Sequence, residues 1–423
     1  MIVPSTATRP AAMIVSAARR EATPAWARYL ARRTGCNDRE MDLELLRERL
    51  ASRGEPGFRA RQVWEWAARG AAGYESMTNL PRELREALAR EVPFSSLALR
   101  REVRARDGTV KALFATADGR PLEAVLMRYR NPPGGGDPPG GGSARRSICV
   151  SSQSGCPLTC TFCATGQMRF ARNLTASEIL EQALHFRRIE GEPPRDIPSR
   201  DAKASGALRA PISHCVFMGM GEPLLNLDAV LAACERLPDL GIAHRRTAIS
   251  TVGWIPGIER LAECELPLRL ALSLHAADEA LRSELMPVNE RYPLRDVLEA
   301  CRAFYARKRR RIFVEYVMLA GVNDRYEQAV ALAELLAPAR HVSTPTRNGG
   351  ARAGGAAGAR EPRMFKVNLI PYNPTDSVYA GSGREAIAAF RAALEQRGVE
   401  ATVRLTRGRD IDAACGQLAA SAA

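Results

Sequence analysis

Apolar residues recur at helical spacing through residues 41–95. Met41 opens Met-Asp-Leu-Glu-Leu-Leu-Arg-Glu-Arg-Leu, an amphipathic start. Phe58 to Trp66 repeats the helical spacing, and Asn79-Leu80-Pro81 marks a further helix start before Arg82–Val92. The period then changes. Residues 99–127 are strand-like, with Lys111–Thr116 and Leu122–Met127 joined near Asp118-Gly119. From residue 147 short apolar runs alternate with helical stretches. The runs are Ile148–Ser151, His214–Met218, Thr247–Ser250, Leu268–Leu274, Ile312–Leu319, Lys366–Ile370 and Thr402–Leu405. The helical stretches are 175–189, 227–236, 294–307, 326–337 and 384–397. Strands alternating with helices predict parallel β-α units, and periodicity alone leaves a doubly wound sheet and a barrel both open.

These changes of pattern divide the chain into an extension (1–40), a helical region (41–95), a β-rich connector (96–146) and a β/α core (147–423). Residues 1–40 are rich in Ala and Arg and weakly periodic, which reads as a disordered extension or a misplaced start codon, with a transit peptide as the alternative. Residues 131–143 are a Pro/Gly loop without the apolar content to build a core, and 343–363 is a Gly/Ala/Arg-rich insertion.

Composition narrows the setting. Among 423 residues, 46% are hydrophobic and 26% charged, the balance of a soluble globular chain. No apolar run reaches the ~18 residues that cross a bilayer, so no membrane association is expected. Ten cysteines without an export signal read as reduced thiols and predict a cytoplasmic protein. The net charge of +14 is partly clustered, at Arg307–Arg311, at Arg100, Arg101, Arg104 and Arg106, and at Arg404, Arg407 and Arg409. Such charge favours phosphate backbones, and an arginine-rich coding bias accounts for it equally well.

The chemistry concentrates in Cys156-Pro-Leu-Thr-Cys160-Thr-Phe-Cys163. A closed zinc site wants four ligands, and an iron–sulfur cluster usually takes four thiolates. Three sulfurs from one loop leave a metal position open to something that reacts. A zinc knuckle or three unrelated core cysteines is the competing reading. The Cys-x3-Cys-x2-Cys spacing with an aromatic before the last Cys resembles the signature of radical S-adenosylmethionine enzymes. That resemblance implies a 4Fe–4S cluster on Cys156, Cys160 and Cys163, with S-adenosylmethionine on its open iron. It also implies a partial (β/α)6 barrel with its site at the carboxyl ends of the strands.

Those ends carry suitable groups. Gly219-Met220-Gly221-Glu222-Pro223 follows the second strand and resembles the segment that holds the amino group of S-adenosylmethionine, with Gly221 and Glu222 as contacts. Ser250, then Ser273-Leu274-His275, then Asn373 stand at later strand ends and suit ribose and carboxylate hydrogen bonds, although each singly is more often a cap or a turn. Near the C-terminus comes Arg407-Gly408-Arg409-Asp410-Ile411-Asp412-Ala413-Ala414-Cys415-Gly416-Gln417-Leu418. With Cys149 to Cys156 and Met218 to Pro223, it resembles the RlmN family, strongly over 145–418 and weakly over 42–130.

That family methylates carbon 2 of an adenine in 23S rRNA and of an adenine in some tRNAs. The resemblance implies two S-adenosylmethionine molecules per turnover. One methylates Cys415; the other is cleaved to a 5′-deoxyadenosyl radical that takes a hydrogen from that methyl. The methylene adds to the adenine, and Cys149 releases the product by a disulfide with Cys415. Glu123 is implied as proton acceptor, although a lone Glu in an edge strand is more often solvated. Partners follow: 23S rRNA, tRNA, a flavodoxin or ferredoxin as electron donor, and a monomeric enzyme. Trp64 and Trp66 could stack bases or lie in the helical core. The rivals are a Cfr-type enzyme acting on carbon 8 and a non-catalytic iron–sulfur or zinc protein that only binds RNA.

Overall fold

The computed structural model describes residues 43–129, 145–190, 212–337 and 363–419. The extension 1–40, the loop 131–143 and almost all of the insertion 343–363 lie outside the described residues.

Phe58–Ala68 shows why the first region is helical. Its buried residues are Ala60, Val63, Trp64, Ala67 and Ala68, one face of a 3.6-residue period. Arg82–Glu91 starts after Pro81, carries Glu83 in its first turn and Arg90 in its last, and buries Leu84, Ala87 and Leu88. With Leu43–Ser52 these helices close a core of Leu46, Leu50, Val63, Tyr74, Met77, Leu80, Leu84, Leu88 and Val92. Burying each large aliphatic side chain contributes roughly 1.5–3 kcal/mol. Trp64 is buried where the helices meet the barrel: its indole N–H donates to Asp239 Oδ2 at 2.7 Å and Arg236 lies over its ring at 4.5 Å. Trp66 is half-buried and donates to Asn79 Oδ1 at 2.6 Å. Packing, not base stacking, occupies both rings here.

One ten-stranded sheet carries the rest. Its antiparallel part is β1 (Leu97–Arg104), β2 (Val110–Thr116) and β3 (Pro121–Tyr129), and β3 pairs antiparallel with β4 (Arg145–Cys149). From β4 the order continues in parallel through β7 (Ile212–Phe217), β8 (Thr247–Thr251), β9 (Arg269–Ser273), β10 (Ile312–Met318), β11 (Phe365–Pro371) and β12 (Ala401–Val403). A small antiparallel pair, β5 (Gln153–Ser154) with β6 (Arg172–Asn173), braces the cysteine loop.

Six of the parallel strands, β4 and β7 to β11, form the partial barrel, and β12 adds a seventh. Side chains alternate along each strand, so every second residue faces the lumen. His214, Val216 and Met218 form one such column, Phe313, Glu315 and Val317 a second, and Lys366, Asn368 and Ile370 a third. The other face is apolar and packs on the helices, with Val314, Tyr316, Val367 and Leu369 fully buried.

Candidate active site

The loop after β4 holds the three cysteines at the carboxyl end of the sheet. Its shape is fixed by bonds to main-chain carbonyls. Thr161 N donates to Leu285 O at 3.0 Å, Cys163 N donates to Cys160 O at 3.2 Å, and Gln167 Nε2 donates to Cys160 O at 3.2 Å. Gly166 is required there, because a Cβ would meet Cys160 O at 2.7 Å. Burial raises all three thiols above their ordinary range.

A cavity of about 160 Å³ opens beside this loop. Cys163, Gly221, Glu222, Ser250, Ser273, His275 and Cys415 are among its walls. Ser250 and Ser273 hydroxyls are 3.2 Å apart. Val317 N donates to His275 Nδ1 at 3.0 Å, which fixes the neutral tautomer with its proton on Nε2. Burial pushes the imidazole down to about 3, so it stays a neutral donor. The ring meets Phe162 edge-on at 4.8 Å, and His275 holds a left-handed φ of 59°. Burial raises Glu222 to about 7, although Val252 N and Leu224 N donate to its carboxylate at 3.0 and 3.1 Å.

Two further expected contacts, Leu274 and Asn373, also make bonds within the chain. Leu274 is fully buried, its N–H donates to Glu315 O at 3.1 Å, and its carbonyl accepts from Arg282 Nε at 3.3 Å. It is not among the residues that line the cavity. Asn373 lines a neighbouring cavity; its Nδ2 donates to Cys415 O at 3.1 Å and its Oδ1 accepts from Arg409 Nε at 3.2 Å. It holds the C-terminal segment. The glycines of 219–221 also serve the chain itself. A Cβ on Gly219 would lie 2.8 Å from Val150 O, and Gly221, at φ 94°, faces Gln153 in the same way.

Residues 404–419 cross the mouth of the barrel as a strap. Gly408 N donates to Asp107 Oδ2 at 3.1 Å, Lys111 Nζ donates to Asp412 O at 3.2 Å, and Ala164 N donates to Gly416 O at 2.9 Å. The last bond joins the strap to the residue after the third loop cysteine. Cys415 is exposed, and it opens on two cavities at once: the one above and a smaller one of about 40 Å³ that it shares with Cys149, Tyr129, Met218 and Arg404. Both cysteines are free thiols. Burial, then the charge of Cys415, pushes Cys149 up to about 12, while Arg404 pulls it down. The residues packed around the Cys415 sulfur raise its thiol, although the residue keeps access to solvent through the cavities, and Arg404 lowers it.

Glu123 is buried on interior strand β3, not on an edge. It pairs with Lys111 Nζ at 3.1 Å and accepts from Ala419 N at 3.2 Å. It faces a separate cavity of about 610 Å³, bounded by Lys111, Asp412 and Gln417. The strap thus touches Glu123, Cys149 and the cysteine loop, while Glu123 and Cys415 open on different cavities.

Three residues escaped the sequence reading. Glu315 is inward-facing on β10 and buried, accepts from Asn368 Nδ2 at 2.9 Å, and pairs with Arg404 at 3.1 Å. A carboxylate inside Ile-Phe-Val-Glu-Tyr-Val-Met was the signal for it. Arg404 had been grouped with the basic runs, yet that group is spent internally: Arg404 on Glu315, Arg407 with Asp107 at 3.7 Å, Arg409 on Asn373. Arg282 is fully buried, bonds Val252 O at 2.6 Å, and acts electrostatically on Cys160. No sequence signal marks it among so many arginines.

The donor set fits an iron–sulfur cluster with S-adenosylmethionine. Cys163 of the loop lines a cavity that also presents the Ser250 and Ser273 hydroxyls, the His275 imidazole and the Glu222 carboxylate, groups that suit the polar ends of S-adenosylmethionine. The second carboxylate oxygen of Glu315 is buried without a partner in the described structure, on a residue that lines the cavity, where a polar ligand group would satisfy it.

Comparison with known proteins agrees. The Radical SAM superfamily model matches residues 150–333, and the model described as the ribosomal RNA large subunit methyltransferase N-terminal domain matches 37–93. A Chloroflexus aurantiacus protein named "Probable dual-specificity RNA methyltransferase RlmN" is 43% identical over 389 residues, covering 90% of this chain and 92% of the relative. The chain belongs to the RlmN family. An Anaeromyxobacter relative named "Dual-specificity RNA methyltransferase RlmN" is 41% identical, covering 90% of each protein. A crystal structure of a radical SAM methyltransferase from Sphaerobacter thermophilus shares 39% identity at a TM-score of 0.72, covering 90% of this chain and 98% of that one. RlmN membership implies a 4Fe–4S cluster and S-adenosylmethionine.

Proposed function

We propose that this protein is a radical S-adenosylmethionine methyltransferase that places a methyl group on carbon 2 of an adenine in 23S rRNA and in tRNA. The observation that carries this reading is Cys415, which faces the cofactor-type cavity on one side and Cys149 on the other. A protein that only binds RNA has no use for that arrangement. The names of the RlmN relatives favour this reading over a carbon-8 enzyme.

When bound, the cluster and S-adenosylmethionine supply the electron, the hydrogen-abstracting group and the carbon to be transferred. The chain's residues do the rest. Cys156, Cys160 and Cys163 hold the cluster. Glu222, Ser250, Ser273 and the Nε2 proton of His275 orient the cofactor. The Cys415 thiolate takes the methyl, and Arg404 stabilises that thiolate against burial. Once the carbon is joined to adenine, Glu123 accepts the proton from carbon 2. The Cys149 thiolate then attacks the Cys415 sulfur; the sulfur–carbon bond breaks with its electron pair leaving on the product carbon, which takes a proton to become the methyl group, and the Cys149–Cys415 disulfide that forms needs two-electron reduction. Two cofactor molecules are consumed per methyl transferred. Because Glu123 and Cys415 open on separate cavities, the strap shifts when the base enters through the 610 Å³ cavity. Exposed Arg101 on β1 lines that entrance and suits RNA phosphates. The 41–95 helices serve as an accessory RNA-binding region, a flavodoxin or ferredoxin donates electrons, and the enzyme works as a cytoplasmic monomer. No helix among the described residues is long and apolar enough to cross a membrane.

Mass mapping of methyladenine in total RNA, from a strain lacking this activity and complemented with the gene, tests the reading. 2-Methyladenine in 23S rRNA and tRNA supports it; 8-methyladenine, or unmodified adenine with an intact cluster, rejects it.

A further inference from the structure

The opposite end of the barrel has chemistry that methyl transfer does not use. A cavity of about 440 Å³ opens at the amino ends of the parallel strands. Four cations line it: Arg145 at the start of β4, Arg246 in the turn before β8, Arg269 at the start of β9 and Lys366 on β11. His214 on β7 stands among them, and Arg404 reaches down from the strap segment. The strand period aims Arg145, Arg269 and Lys366 inward, in phase with lumen-lining Ser147, Ser273 and Asn368, and Arg246 joins them from the turn before β8.

Their charges are poorly answered. Lys366 has Glu400 at 2.9 Å and Arg404 has Glu315 at 3.1 Å. Among the described residues, Arg145, Arg246 and Arg269 have no carboxylate within ion-pair distance. Arg145 lies over the Tyr129 ring at 4.4 Å and Arg269 over Phe313 at 5.6 Å, contacts that orient guanidinium groups without neutralising them. The crowding is felt by its neighbours. Burial, then Arg145, Arg246 and Arg269, pushes His214 down to about 4. Burial, then Arg269 and Arg245, lowers Arg310, a member of the Arg307–Arg311 run. That run therefore lies at this end of the barrel.

Like charges gathered in a concave site are costly unless an anion joins them. We propose that the amino-end mouth of the barrel binds a small phosphate-bearing anion of nucleotide size, held by Arg145, Arg246 and Arg269. Arginine forks match phosphate oxygens, and the volume falls in the range of small-molecule pockets. The site is concave and walled by strand ends, which favours a compact ligand over an RNA backbone docked across it.

Isothermal titration of the anaerobically reconstituted full chain tests this, using inorganic pyrophosphate and adenosine diphosphate as probes in separate arms. Saturable one-to-one binding is expected. The double variant Arg246→Gln/Arg269→Gln should weaken it by about tenfold or more per arginine. A control with the same charge change on exposed helices, Arg295→Gln/Arg391→Gln, should leave it unchanged. Adenosine diphosphate binding more tightly than pyrophosphate assigns the source to a nucleotide; equal binding assigns it to phosphate alone. The ligand-free double variant should melt no lower than the parent, since two repelling charges are gone. Three results would overturn the proposal: no saturable binding, equal loss in the control, or a short RNA that displaces the probes and binds equally well to the double variant.

Discussion

At the carboxyl ends of the strands the lumen presents hydroxyls, a neutral imidazole, a carboxylate and sulfur: Ser250, Ser273, His275, Glu222 and Cys415. At the amino ends, less than a strand's length away, the same strands present Arg145, Arg246, Arg269 and Lys366. Glu315 and Arg404 pair between the two regions. The upper end is nearly neutral and suited to a reaction that must keep water and stray protons away. The lower end is charged and suited to holding an anion. One alternation rule, applied to seven parallel strands, produces both, because a strand that sends residue i into the lumen also sends i+2 and i+4.

Replacing the sulfur at the upper end should have the largest effect. Cys415→Ala should cut methylation on the order of 10⁶-fold, the scale of losing a covalent nucleophile, while iron content and cluster absorbance stay at parental levels. Methylation that survives would remove Cys415 from the chemistry. Next is the residue joining the two regions. Arg404→Gln removes the cation beside both thiols, so the thiols rise further and less thiolate is present at a given pH. Methylation at neutral pH should fall about 10²-fold, with partial recovery as pH is raised. A uniform loss at every pH would mean that Arg404 only shapes the strap. Glu315→Gln breaks the same pair from its more buried side and should cost about 2 kcal/mol in urea denaturation, after discounting for the partly exposed guanidinium.

The smallest expected change lies at the lower end. His214 titrates near 4 in the folded chain and at an ordinary value of 6.5 when unfolded. The unfolded chain therefore takes up the proton first, and stability falls as pH drops from about 6.5 towards 4. His214→Gln should lose about 1 kcal/mol less over that window, because the ring is only half-buried. An unchanged pH profile would show that the lower cations are better screened than their spacing suggests.

Much of the scaffold was legible because its periods are long and clean. The runs at Thr247, Ile312 and Lys366 became β8, β10 and β11 within a residue or two, and the helices at 294–307 and 384–397 did likewise. The helix Ile255–Glu263 was missed because Pro256-Gly257 reads as a turn. In the fold Pro256 occupies a first helical turn, and Gly257 is needed where a Cβ would come within 2.5 Å of Leu224. The first strand, Leu97–Arg104, was blurred by its exposed arginines. At the site, cysteine spacing located the loop, but no spacing rule reports that Asn373 grips a carbonyl 42 residues away. The pairing of Glu315 with Arg404 is equally remote in sequence. Such contacts are set by register between non-neighbouring segments, which local pattern does not encode.

The strap is fastened largely through its own backbone, at Gly408 N, Asp412 O, Cys415 O, Gly416 O and Ala419 N. Anchors of that kind are indifferent to what the adjoining side chains are. Positions such as Ile411, in the wall of the 610 Å³ cavity, can therefore drift or be redesigned, retuning what the entrance admits, while the sulfur stays on station.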